Sequence, residues 1–128
     1  MPERLQQLLS NPAVVKLGIG IHQDLEKLED DYSVRPQGFV DLAVLAWAYG
    51  MGDMGLKSMC AAFGHPLQKS KNISMSNWEN VSLSGSQIMY AAQDAWASVW
   101  LCLRLFHRYV ALWHQTQRAP RVTQHSMY

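Results

Sequence analysis

Tyr90 and Asp94 stand four residues apart in the stretch Ser84-Gly-Ser-Gln-Ile-Met-Tyr-Ala-Ala-Gln-Asp-Ala-Trp-Ala-Ser98. Four residues make about one helical turn, so the phenol and the carboxylate share a face. A carboxylate set among apolar side chains needs a partner, because an unpaired buried charge is costly. Two roles are open: Asp94 as a structural pair with Tyr90 as core, or both groups turned to one chemistry. Asp24 is the other acid of interest, standing just after an apolar run of strand length, where ligands gather in parallel sheets. Two convergent carboxylates and a tyrosine suit a hard divalent cation and a phosphate ester.

The element carrying Tyr90 and Asp94 has a legible start. Ser84 and Gln87 fit a capping box, and Leu83 with Ile88 fits a hydrophobic staple, so the helix should begin at about Gly85. Apolar residues from Ala91 to Phe106 cover most of its circumference, which predicts a helix packed on several sides. Asp94, Arg104, His107 and Arg108 break that run short of the roughly 20 apolar residues that span a bilayer, so no membrane segment is expected.

The rest of the chain must position this helix. Leu5, Leu8 and Leu9 stripe a first helix after Pro2. Residues 14–20 form a β-branched apolar run that predicts a strand buried on both faces of a parallel sheet. Asp24 to Tyr32 predicts an amphipathic helix with Leu25, Leu28 and Tyr32 inward. Residues 38–41 predict a second short strand, after which Asp41 caps a helix carrying Leu42, Leu45, Ala46 and Tyr49. A helix with Leu56, Met59, Cys60 and Phe63 follows, ended by Gly64 and Pro66. Residues 65–83 read as polar and irregular with Trp78 as an anchor, and residues 114–128 as a disordered tail.

Composition narrows the function classes. The chain has 128 residues, 48% hydrophobic, with eleven basic and ten acidic side chains for a net charge of +1. A single domain without a cationic footprint results, so a nucleic-acid partner would be held by a local site or a metal. Cys60 and Cys102 form no cysteine framework, which points to an intracellular, reducing compartment, nuclear or cytoplasmic. The opening Met1-Pro-Glu-Arg-Leu5 reads as neither signal nor transit peptide.

Several local motifs fail on context. Gly50-x-Gly52-x-x-Gly55 fits the dinucleotide pattern but follows a helix instead of a strand. The same loop misses a phosphate-binding loop because Leu56 separates Gly55 from Lys57. Cys60 with His65, and Cys102 with His107, are isolated pairs without the further ligands that zinc requires.

Five ordered segments carry a resemblance: Lys16-Leu-Gly-Ile-Gly-Ile-His-Gln-Asp24, Phe39-Val-Asp-Leu42, Leu67-Gln-Lys-Ser70, Ser76-Asn-Trp-Glu79 and Tyr90-Ala-Ala-Gln-Asp-Ala95. Together they resemble the 3′–5′ exonuclease domains of the ribonuclease D and Werner-helicase type, the tyrosine-containing DEDD exonucleases. The resemblance implies an α/β, ribonuclease H-like fold and hydrolysis of the 3′-terminal phosphodiester of DNA or RNA by two Mg²⁺ or Mn²⁺ ions. It implies metal ligation by Asp24 and Asp94, with Tyr90 orienting the attacking water. Lys69, Lys71 and Asn77 are candidate contacts to the substrate backbone.

One part of the family pattern is missing. The first-motif Asp-x-Glu belongs on a strand, where residues two apart share a face. Asp24-Leu-Glu26 spells those letters on a helix, where they diverge by roughly 200°. Residues 1–113 therefore read as the carboxy-terminal part of such a domain, an incomplete fold of few strands that is mostly helical by residue count. This reading predicts weak or absent activity of the chain alone and an unpaired sheet edge prone to self-association. The alternative is an inactive remnant that binds nucleic acid or a partner protein.

Overall fold

A computed structural model describes residues 1–118. Eight elements follow in order: α1 (Glu3–Ser10), β1 (Lys16–Gly18), α2 (His22–Tyr32), β2 (Phe39–Asp41), α3 (Leu42–Ala48), α4 (Leu56–Ala62), α5 (Lys71–Ser74) and α6 (Gly85–Arg118). The described part is mostly helical, with β1 and β2 paired in parallel in the register Lys16 to Phe39, Leu17 to Val40 and Gly18 to Asp41. β1 has β2 on one side and, among the described residues, no strand on the other.

The first strand is shorter than the apolar run predicts. Residues before Lys16 are drawn into turns: the Ala13 N–H donates to Asn11 Oδ1, and the Val14 N–H to the Asn11 carbonyl. Val14 and Val15 are consequently exposed. Lys16 reaches back from β1, its Nζ donating to the Leu8 and Asn11 carbonyls at 3.1 and 2.8 Å. It thereby adds a charged donor to two carbonyls at the end of α1 that also accept backbone N–H groups.

Asp41 joins the two strand-to-helix turns. As the N-cap of α3 it accepts the Ala43 N–H at Oδ1. Its carboxylate also accepts the Gly20 and Ile21 N–H groups in the turn after β1, each at 3.1 Å. Gly20 takes a positive φ of 66° there, a conformation that suits a residue without a β-carbon.

The core lies where α3, α4 and β1 meet α6. Leu42, Ala46, Met59, Leu101 and Leu105 form one buried cluster, and Cys60, Leu67 and Ala97 a second. Leu17 and Val40 pack against the first cluster from the sheet, and Ile19 from the turn after β1. α6 departs from the expected packing on several sides. Ala97, Leu101 and Leu105 are buried, whereas Trp96, Val99, Leu103 and Phe106 are exposed on the other face. The described elements that pack closely on α6 are β1, α3, α4 and α5, and they cover one side of it.

Three smaller differences follow. Tyr32 is exposed and does not join Leu25 and Leu28 on the inner face of α2. Residues 71–74, expected to be irregular, form the short helix α5. Residues 114–118, assigned to a tail, continue α6 as helix, while 119–128 lie outside the described residues. No helix among the described residues is long and apolar enough to cross a membrane.

Candidate active site

The head of α6 is built as its sequence predicts. The Gln87 N–H donates to Ser84 Oγ at 3.2 Å, and the Ser84 N–H donates to Gln87 Oε1 at 2.9 Å. This reciprocal cap satisfies two donors that a helix start leaves open. The Gln87 side chain is buried, and its amide also donates to Ser76 Oγ and to the Asn77 carbonyl. The preceding loop is therefore fastened to the helix one turn before Tyr90. From that loop, Trp78 lies with its ring 5.9 Å from the Tyr90 ring, its Nε1–H donating to the Ser74 carbonyl. Trp78 stays exposed and joins neither buried cluster, so its hold is this ring contact and hydrogen bond.

Lys69 binds the two chemical residues together. Its Nζ stands 2.7 Å from Asp94 Oδ1 and 5.2 Å from the centre of the Tyr90 ring. The ammonium is thus shared between a carboxylate and the negative face of a phenol. Asp94 Oδ1 is itself buried and accepts no hydrogen bond, so the lysine contact is one of charge without hydrogen-bond alignment. Lys69 and Asp94 keep 20% and 35% side-chain exposure, a half-buried pair and not a surface one. The Ser98 hydroxyl donates to the Asp94 carbonyl from one turn further along.

Cys60 on α4 lies within reach of these charges. Burial pushes its thiol above the ordinary 9.0; Lys69 pulls it down and Asp94 pushes it up. Beside the cluster runs an open groove of about 640 Å³, whose lining includes Gln68, Ser70, Ile73, Tyr90, Gln93 and Trp96. All of its lining side chains are neutral.

The other candidate residues take no part in this contact. Asp24 lies exposed in the first turn of α2, and no hydrogen bond or ion pair among the described residues joins it to Tyr90 or Asp94. Lys71 is exposed at the start of α5. Asn77 is engaged in its own turn, accepting the Glu79 N–H and donating to Asn80 Oδ1. Among the described residues no group of three or more His, Cys, Asp and Glu side chains could hold a metal ion. The two-ion ligand set implied by the resemblance therefore does not fit the acids present, and Asp94 contributes one carboxylate that already faces a lysine.

Residue types and spacing brought out Tyr90 and Asp94 but not their link through Lys69. That lysine lies in a polar stretch without periodicity, so no pattern pointed to the helix it meets. Its place in Leu67-Gln-Lys-Ser70, one of the five ordered segments, was the available signal.

Residues 2–108 match the family described as 3′–5′ exonuclease. The chain belongs to the 3′–5′ exonuclease family. The mouse exonuclease 3′–5′ domain-containing protein 2 is 36% identical to it over 110 residues, covering 82% of this chain and 17% of that protein. The chain thus spans about a sixth of the length of that curated relative. A solved structure of the exonuclease domain of EXD2, soaked in Mn, is 29% identical and is aligned over 100% of this chain and 65% of its own, with a TM-score of 0.39. NrnC of Brucella melitensis, solved bound to pGG, is 22% identical with a TM-score of 0.71, over 91% of this chain and 57% of that one. The last match shows that the chain shares the fold of that protein, in keeping with the α/β, ribonuclease H-like class expected from its motifs.

Proposed function

We propose that residues 1–113 form the part of a 3′–5′ exonuclease domain that carries the third motif, acting on the 3′ end of a DNA or RNA strand. The observation that carries this reading is the contact of Tyr90, Asp94 and Lys69 at the head of α6, in a chain of the 3′–5′ exonuclease family. In this assignment Asp94 is the metal-binding carboxylate, Tyr90 orients the attacking water, and Asp24 serves as the second-motif acid. The neutral groove lined by Tyr90 and Trp96 supports a strand laid along α6, since bases stack on aromatic faces whatever their sequence. Mg²⁺ or Mn²⁺ is the cofactor of the complete site. The first-motif acids are not among these 128 residues, so this part alone should hydrolyse poorly. The unpartnered thiols support a nuclear or cytoplasmic location. The free edge of β1 supports pairing with a further strand, from a second copy or a partner chain.

The incomplete acid set favours one other reading, a non-catalytic module that holds nucleic acid or protein. The two separate in a degradation assay. The purified chain is incubated in Mn²⁺ with labelled single-stranded and 3′-recessed oligonucleotides, alone and with an added segment bearing a first-motif strand from a related domain. Degradation only with the added segment, lost in Asp94→Ala, is the expected result. A stable complex of the two pieces that leaves every oligonucleotide intact would favour the binding module.

A further inference from the structure

α6 turns Ala97, Leu101 and Leu105 to the core and leaves a second apolar stripe bare on its far side. The stripe runs from Ile88 to Val110, its seven apolar positions separated by steps of four, three, four, four, three and four residues. We infer that this stripe is a pairing surface for a second copy of the chain, the two α6 helices running antiparallel about a two-fold axis at Val99. The pairing uses none of Tyr90, Asp94 and Lys69 and is independent of the hydrolytic reading.

The spacing keeps the stripe on one line. Each half spans an 11-residue block, about 3.67 residues per turn against 3.6 for a straight α-helix, so the positions hold one face. Ile88, Val99, Leu103 and Phe106 are each more than half exposed, Ala92 and Ala95 are exposed, and Val110 is half-buried. No charged residue stands among the seven. An uncharged apolar line of about 33 Å, at 1.5 Å per residue, is a continuous patch of the kind that marks an interaction surface.

A second copy is the occupant that the symmetry of the spacing selects. The steps read the same from either end, so a two-fold axis at Val99 sets Ile88 opposite Val110, Ala92 opposite Phe106 and Ala95 opposite Leu103. Val99 meets its own copy. A small side chain thus faces a large one in two of the three pairs, the alternation that lets facing helices close-pack. Parallel pairing would set Phe106 on Phe106 and Ala92 on Ala92, crowding one level and leaving a void at another. Ala97, Leu101 and Leu105 face the other way, so the body of each copy lies outside the pair. Helices 8–10 Å apart along such a line approach the about 800 Å² a side that a specific pair buries. The contact is isologous and closes at two copies.

The test uses the full chain in analytical ultracentrifugation. Wild type should sediment as a dimer at micromolar concentration. Val99→Glu and Val99→Lys, at an exposed position and checked for fold by circular dichroism, should each weaken the dimer on the order of thirtyfold or more. An equal mixture of the two variants should dimerise again, because the opposite charges then meet at the axis. A monomeric wild type overturns the inference. So does a dimer that neither substitution weakens, the result expected if copies join through the free edge of β1, and so does a mixture that stays monomeric. Orientation is read by single cysteines in a Cys102→Ser chain, in which Cys60 is buried. Under mild oxidation with oxidised glutathione, Val99→Cys should give a disulfide-linked dimer. Phe106→Cys should not, since antiparallel helices hold the two copies of that position roughly 21 Å apart, far beyond disulfide reach. A linked dimer from Phe106→Cys, or none from Val99→Cys, overturns the antiparallel pair.

Discussion

Ser84 and Gln87 cap each other: each backbone N–H donates to the other's side chain, at 2.9 and 3.2 Å. The pair does more than start a helix, because the Gln87 amide also holds Ser76 and Asn77. Gln87→Ala should therefore cost about 2–4 kcal/mol, a lost cap plus buried groups left unpaired, against about 1 kcal/mol for Ser84→Ala. Urea unfolding of both variants measures the difference; equal losses would mean that the loop is held by something else.

Asp41 permits a sharper comparison. Three backbone N–H groups, of Gly20, Ile21 and Ala43, converge on its two oxygens at 2.9 to 3.1 Å. Asn retains one acceptor oxygen and Ala none. The expected order of stability is wild type, Asp41→Asn, Asp41→Ala, with the last about 2–4 kcal/mol below the first. Since the same carboxylate sets the turn leading into α2, hydrogen exchange at Gly20 and Ile21 should quicken in step with the loss.

These two sites also show what was legible before the fold was known. Capping is local chemistry: Ser84 with Gln87, and Asp41 before Leu42, act within a few residues, and both appear where the sequence places them. The family was legible for a different reason, since five short segments kept their order along the chain. Contacts between distant segments were not. Lys69 meets Asp94 across 25 positions of sequence, and no local pattern encodes that approach. The extent of β1 was overstated for a related reason: apolar β-branched residues predict a strand, but the Asn11 turn takes the backbone of Ala13 and Val14 before it can pair. The even apolar distribution on α6 implied neighbours all round, while the described elements cover one face and leave Trp96, Val99, Leu103 and Phe106 exposed.

Gly38 tests the join between α1 and the sheet. Its φ is 70°, and a β-carbon there would lie 2.6 Å from the Val14 carbonyl oxygen and 3.2 Å from those of Asn11 and Pro12. Left-handed backbone costs an alanine about 1–2 kcal/mol before any clash, and three backbone carbonyls yield little. Gly38→Ala should lose about 2–4 kcal/mol, whereas Gly52→Ala, equally left-handed but in open space, should lose about 1–2 kcal/mol. Thermal unfolding of the two variants side by side separates crowding from backbone strain.

Cys60 makes the stability of the chain fall at high pH. Its thiol is raised above 9.0 mainly by burial, with Lys69 opposing and Asp94 adding to the shift. In the unfolded chain the thiol ionises near its ordinary value, while in the fold it keeps its proton to higher pH. Between those two points the native state binds more protons than the unfolded one, so stability falls as pH rises. The contribution is complete below 9.0 and is lost as pH climbs through the raised value. The slope cannot exceed about 1.4 kcal/mol per pH unit for one group. Lysines and tyrosines titrate in the same region, so the measurement is a difference: unfolding free energies of wild type and Cys60→Ala followed from pH 7 to roughly pH 11. At neutral pH wild type should be the more stable, because the variant leaves a cavity beside Leu67 and Ala97. Above 9.0 that advantage should shrink steadily, as the wild type alone carries the thiol. An advantage that held constant or grew with pH would show that the Cys60 thiol ionises as readily in the fold as outside it, and that the charge of Lys69 outweighs burial and the charge of Asp94 together.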